Sequence, residues 1–205
     1  MILIVVALAA GVLVGLAMKG SLRNLGELRF RWWGLAFVGL GLQLIPVPSL
    51  AGQADHWLAV GLLVASYLVL VVFVVANLRV PGFALIALGF ILNALVISIN
   101  GGMPVSNRAL HIAAGPFYAQ TSARLLREGG EKHHLAGPGD KLVFLGDEIP
   151  VGAPARQVLS AGDVVWLAGT AWVIARGMAR RPASAPEEAT APAGADPNPE
   201  RVVEE

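Results

Sequence analysis

The chain has 205 residues, 56% of them hydrophobic and only 14% charged, with a net charge of +1 and no cysteine. A soluble domain carries about 25% charged residues, so a mean hydropathy of +0.66 puts a water-soluble enzyme behind a membrane protein. The missing thiols exclude disulfides, cysteine nucleophiles and Cys-type zinc sites.

The near-zero net charge conceals two unlike parts. Residues 1–181 hold 14 Lys and Arg against 8 Asp and Glu, and residues 182–205 hold one Arg against six acids.

Met1 to Met18 is free of charge and long enough to cross most of a hydrocarbon core of about 30 Å. No Lys or Arg precedes it, which disfavours a cleaved signal peptide. Its Ala7, Gly11 and Gly15 form a small-residue stripe on which another helix can approach. Lys19, Arg23, Arg29 and Arg31 follow, with Trp32 and Trp33 as an interfacial anchor. Trp32 to Ile45 is too short to span alone. It is expected to continue through Pro46 and Pro48 to about Leu50, with a re-entrant hairpin as the alternative.

Trp57 to Ala76 is the clearest span, with Ser66 and Tyr67 its only hydroxyls. Arg79 and the turn Pro81-Gly82 lead to Phe83 to Ile99, an antiparallel neighbour. Val164 to Ala175 forms a fifth span if Asp163 and Arg176 sit at the two interfaces. Basic loops stay inside, so the N-terminus and the segment Asn100 to Asp163 are expected outside and the C-terminus in the cytoplasm. Residues 182–205, with five prolines and no aromatic residue, read as a disordered tail.

The spans lack ionisable residues away from their edges, which disfavours an ion-coupled carrier. Asn93 and Asn100 share a helix face and can bond a neighbouring helix. A carrier of uncharged solutes would need a polar cavity, for which Gln43 and Asn93 are the available lining groups. Asn100-Gly101-Gly102-Met103-Pro104 reads as a helix stop, with the glycine amides as a candidate anion nest. Pro116 to Glu128 reads as a short amphipathic helix with Arg124 and Arg127 beside its apolar side.

The remaining chemistry lies in Lys132-His133-His134, Asp140, Gly146-Asp147-Glu148 and Ser160-Ala161-Gly162-Asp163. Imidazole and carboxylate are the metal ligands available without thiols, so His133, His134, Asp147 and Asp163 are candidate ligands, although no metal-site spacing places two on one face. Asp163 also fits the N-cap of the fifth span. There is no nucleophile elbow, no phosphate-binding loop and no nucleic-acid motif.

At these residues the chain resembles a bacterial integral-membrane family catalogued as a domain of unknown function, number five-three-one-seven. The resemblance covers most of residues 1–178. It rests on Leu25, Leu28-Arg29, Trp33, Gln43, Asn100-Gly101-Gly102-Met103-Pro104-Val105, Lys132-His133, Leu145 to Pro150 and Ser160 to Asp163. It implies a membrane protein of similar layout and supplies no activity.

The expectation is therefore an all-α polytopic membrane protein with about five transmembrane helices. Residues 1–99 form a four-helix membrane region and 100–163 an extracytoplasmic loop region with a short amphipathic helix. Residues 164–179 form the fifth helix, and 180–205 a disordered acidic tail. The expected role is a non-enzymatic structural or partner-binding component of the cell envelope. It would lie in the plasma membrane among lipids, with another membrane protein or a second copy as partner and no nucleic acid. No catalytic residue or cofactor is assigned. The alternatives are a metal- or small-ligand-binding protein and a membrane-embedded hydrolase using the outer His and Asp residues. The candidate ligand-binding residues are Asn100, Gly101, Gly102, Lys132, His133, Asp147 and Asp163.

Overall fold

The computed structural model describes residues 2–45, 53–124 and 133–179. The acidic tail, Lys132, the prolines at 46 and 48 and the latter part of the helix expected to end at Glu128 lie outside the described residues.

The protein is mostly helical. The first apolar block forms α1 (Ile2–Ala17) and the second α2 (Gly34–Leu44). The third and fourth form α3 (Gln53–Ala76) and α4 (Phe83–Asn100), and the last forms α7 (Ala161–Ala179). Two stretches, Trp57–Ala76 and Phe83–Asn100, are long and apolar enough to cross a membrane. α1 and α2 are shorter, about 24 and 16 Å at the rise of an α-helix. These helices pack as a row in the order α1, α7, α4, α3, α2. Their outward faces carry large apolar residues such as Leu13 and Phe37, each 67% exposed. A soluble surface rarely presents so much contiguous apolar area, and the two long helices suggest membrane association.

Small residues set the row's spacing. Ala7, Gly11 and Gly15 are the buried residues of α1, and a Cβ at Gly11 would lie 2.6 Å from the Ala171 carbonyl oxygen. On the other side of α7, Gly162 and Gly169 meet Gly89 and Gly82. Ser21 donates its N–H to the Met178 carbonyl at 3.0 Å, so the C-terminal ends of α1 and α7 lie together and the two helices run parallel. α4 runs antiparallel to them, because its start meets Gly169 and its later Asn93 meets the start of α7.

At the end where α1 and α7 finish, Phe30 packs on Phe73 and Phe83 with ring centroids 6.3 and 5.6 Å apart. The buried Asn77 fastens this loop. Its Oδ1 accepts from Arg31 N–H at 2.7 Å, and its Nδ2 donates to the Arg31 and Phe73 carbonyls.

The opposite end corrects the all-α expectation. It bears a four-stranded sheet in the order β2-β1-β3-β4, built from β1 (Met103–Val105), β2 (His133–Leu135), β3 (Asp147–Val151) and β4 (Gln157–Ser160). β1 pairs in parallel with β2, placing Met103 opposite His133, and with β3, placing Val105 opposite Asp147. β3 and β4 are antiparallel, with Asp147 opposite Ser160. A helix not expected from the sequence, α5 (Asn107–Ala114), is capped by Ser106 and packs against β3 and β4. Of the helix expected at 116–128, α6 (Tyr118–Arg124) is described.

Candidate functional site: a polar cavity beneath the sheet

Between the helix ends and the sheet lies a cavity of about 290 Å³ lined by Leu63, Ile97, Met103 and Val158 together with six polar side chains. Each polar side chain comes from a different element: Gln43 from α2, Tyr67 from α3, Asn93 from α4, His133 from β2, Asp147 from β3 and Asp163 from α7. The helices supply one side, and the sheet register brings His133 and Asp147 to the other.

The entry into α7 organises one edge. Ser160, not Asp163, is the N-cap. Ser160 Oγ accepts from Asp163 N–H at 3.0 Å, and Asp163 Oδ2 accepts from Ser160 N–H at 3.1 Å. This is a reciprocal capping box in which the acid occupies the third helical position rather than the cap itself. That leaves Asp163 Oδ1 facing sideways, where it accepts from Asn93 Nδ2 at 2.9 Å and Trp166 Nε1 at 3.0 Å. Ser160 Oγ donates to Asn93 Oδ1 at 2.9 Å. Three donors and the positive end of the α7 dipole suit a carboxylate at this point.

Asp147 is held differently. It is 7% exposed, and among the described residues the oppositely chargeable group beside it is His133, whose Nε2 lies 4.0 Å from Asp147 Oδ2. Burial, and secondarily the charge of Asp163, push the Asp147 carboxyl up to about 8, so it is protonated at neutral pH. Two carboxyls in one cavity therefore have unlike environments, one supplied with donors and one desolvated.

Both Gly-Asp pairs have the same construction. A Cβ at Gly146 would lie 2.6 Å from the Pro104 carbonyl oxygen, and one at Gly162 the same distance from that of Gly89. In each case the glycine admits a neighbouring backbone, and the aspartate after it faces the cavity.

The other expected site residues lie elsewhere. Asn100 clamps a backbone: its Nδ2 donates to the Val96 and Lys141 carbonyls, and its Oδ1 accepts from Lys141 N–H at 2.8 Å. Gly101 has φ 65° and is the left-handed helix cap, and the amides of Gly101 and Gly102 both point back to the Ile97 carbonyl. The Gly-Gly turn is thus a helix stop whose amides are engaged.

Adjacent strand residues point to opposite faces, and His134 accordingly leaves His133 to pair with Asp140 at 2.9 Å. Although burial alone would raise it, bonds from Gly137 N–H and His134 hold the Asp140 carboxyl below its usual value. Among the described residues no three of His, Asp and Glu gather as metal ligands. Lys132 lies outside the described residues.

The sequence marks Tyr67 only as a hydroxyl in an apolar span, although a lone Ser66-Tyr67 pair is a usable signal. The Tyr67 hydroxyl bonds Asn93, and Gln43 Nε2 donates to Ser66 Oγ at 2.8 Å.

The fold and site define a mostly helical protein with a small sheet closing a polar cavity at one end of a helix row. The chain belongs to the family of unknown function DUF5317, which it matches over residues 27–175. It is similar to a Thermotoga maritima protein described only as uncharacterized, at 28% identity over 155 residues, covering 74% of this chain and 79% of that one. No solved structure matches.

Proposed function

We propose that this protein is a multi-pass membrane protein that binds a small polar ligand on the outer side of the bilayer, without catalysing its turnover. The observation that carries the reading is the convergence of six polar side chains from six elements on one cavity. Isolated structural hydrogen bonds require no such space. Small-molecule sites combine apolar walls with a few placed polar groups in this way.

In this reading α1, α2, α3, α4 and α7 are five membrane helices, with the N-terminus outside and the C-terminus in the cytoplasm. Two features support it. α1 and α7 run parallel, and Lys19, Arg23, Arg29, Arg31, Arg79 and Arg176 all belong to the end away from the sheet, as retention of basic loops inside requires. The sheet and cavity then face outward. A hydrolase is less well supported, because Ser160 is engaged by Asn93 and Asp163 as a cap.

Two experiments test these statements. The chain has no native thiol, and a side chain at Gly26 or Gly139 meets no neighbour. Single Gly26→Cys and Gly139→Cys variants in intact cells should label with an impermeant maleimide at 139 and not at 26, and the reverse pattern inverts the topology. For binding, a thermal-shift screen of the detergent-solubilised chain against small polar metabolites should give a hit that Ile97→Phe abolishes and Glu148→Gln keeps. A screen in which no chemical class stabilises the protein would refute the ligand reading.

A further inference from the structure

We infer that the ligand of this cavity is a small organic ammonium ion, seated with its charge toward Asp147 and Asp163 and its alkyl part against Leu63, Ile97 and Met103. The inference rests on the ligand-binding reading above and adds the ligand's chemical class.

The cavity's polarity is one-sided. Two carboxyls face one imidazole, that of His133, and among the described lining residues there is no Lys or Arg; the Asn93 amide is engaged by Ser160 and Asp163. An anion would meet the Asp163 carboxylate with only the His133 imidazole to receive it. An uncharged solute would leave that carboxylate with its three hydrogen-bond donors and the helix dipole but no full counter-charge. An ammonium ion pairs with the Asp163 carboxylate and favours release of the proton that Asp147 otherwise holds, so that both carboxyls then face it.

A bare or hydrated divalent metal fits less well. It needs several hard ligands at short range, and among the described residues no three candidate ligands converge. The apolar walls would also meet nothing on such an ion, whereas methyl or methylene groups fill them. A cavity of about 290 Å³ lies at the small end of ligand sites and limits the occupant to a few heavy atoms.

A second cavity, of about 200 Å³, lies beside the first. It is lined by Leu3, Ile4, Leu159, Trp166 and Leu167, and shares Asp163 and Val158 with the first. Its walls come from the starts of α1 and α7 and from β4, with Gln157 and Asp163 as the polar members, so an alkyl chain attached to the ammonium group can lie along the apolar remainder. The same headgroup chemistry thus has two sources, a free amine or an amphiphile.

The test is isothermal titration of the full, detergent-solubilised chain with four probes: choline, its uncharged tert-butyl analogue, butyrate, and dodecyltrimethylammonium below its micellar concentration. Saturable binding of a cationic probe, about tenfold or more weaker for the uncharged analogue and absent for butyrate, is the expected result. Titrated above about pH 8, where the Asp147 carboxyl is ionised, Asp147→Asn, which keeps the side chain's shape, should weaken the cation by at least about tenfold, with unchanged circular dichroism and elution volume. Asp163→Asn serves as a second variant if it folds.

Tighter binding of the amphiphile, lost in Leu167→Trp while choline binding survives, assigns the lipid-side source. Equal binding of the two cations assigns the free amine. Binding of the uncharged analogue or of butyrate as tight as choline overturns the ammonium assignment and leaves ligand binding standing. So does a screening hit of another class with no cation bound. Absence of any ligand in both experiments overturns both statements.

Discussion

Raising the pH should weaken this protein through one residue. Asp147 titrates near 8 when folded, against a usual value of 3.8. Between those values the unfolded chain has released the proton and the folded chain has kept it. The folded state therefore binds more protons, and stability must fall as pH rises through the window and level off above it. Each pH unit across the window corresponds to about 1.4 kcal/mol. Integrating from about pH 5 to about pH 8 gives a loss of about 3–4 kcal/mol as an upper bound, since relaxation around the ionised group reduces it.

The assay is thermal unfolding of the detergent-solubilised protein across this range at constant ionic strength, followed by tryptophan fluorescence. Asp147→Asn substitutes a neutral group of the same shape and should flatten the slope, leaving the variant more stable than wild type near pH 8. The imidazole of His133 lies 4.0 Å from Asp147, so His133→Gln is the control. It should keep most of the slope. Equal slopes for wild type and Asp147→Asn would refute the assignment of a desolvated, protonated carboxyl.

Four further outcomes follow from packing and backbone clamps. Gly89→Ala places a Cβ 2.5 Å from the Gly162 carbonyl oxygen and should cost at least about 1–3 kcal/mol by forcing α4 from α7, read as a lowered unfolding midpoint. Gly26→Ala, at an open position, should change little. Asn100→Ala removes the bonds to the backbone of Lys141 and should cost about 1–3 kcal/mol, with faster amide exchange at Lys141. Asn77→Ala does the same to Arg31 at the other end, and should cost a similar amount while leaving ligand binding intact. Loss of binding in that variant would show the two ends to be coupled.

The helices were legible because their information is local. An unbroken apolar block needs no partner to be recognised, and Trp57–Ala76 and Phe83–Asn100 lie where composition put them. The stripe Ala7, Gly11, Gly15 was legible for a related reason, since spacing alone tells which face of α1 is small. Its partner was not, because nothing in residues 1–18 says that α7, from the far end of the chain, will be inserted between α1 and α4.

The sheet was illegible for the opposite reason. β1 and β2 have three residues each, and Pro104 and Pro150 stand inside strands. Proline cannot donate to a ladder and argues against a strand when only sequence is considered. These strands persist because their partners come from distant segments and because the helix ends beneath them supply the buried face.

The same separation explains why the candidate residues were found while their grouping was not. His133, Asp147 and Asp163 stood out as polar residues of the expected outer segment, and Asn100 did so equally. What distinguishes them is register. Val105 beside Asp147, and Asp147 opposite Ser160, turn the first set toward one cavity, whereas Asn100 is turned to the backbone of Lys141. The two Gly-Asp pairs carry this logic furthest: each glycine permits the contact that closes the cavity wall, and the residue that must follow it in the chain is the one that faces inside. A substitution at either glycine should therefore disturb the position of its aspartate as well as the packing. The expected sign is a weakened ligand response even where the protein still folds.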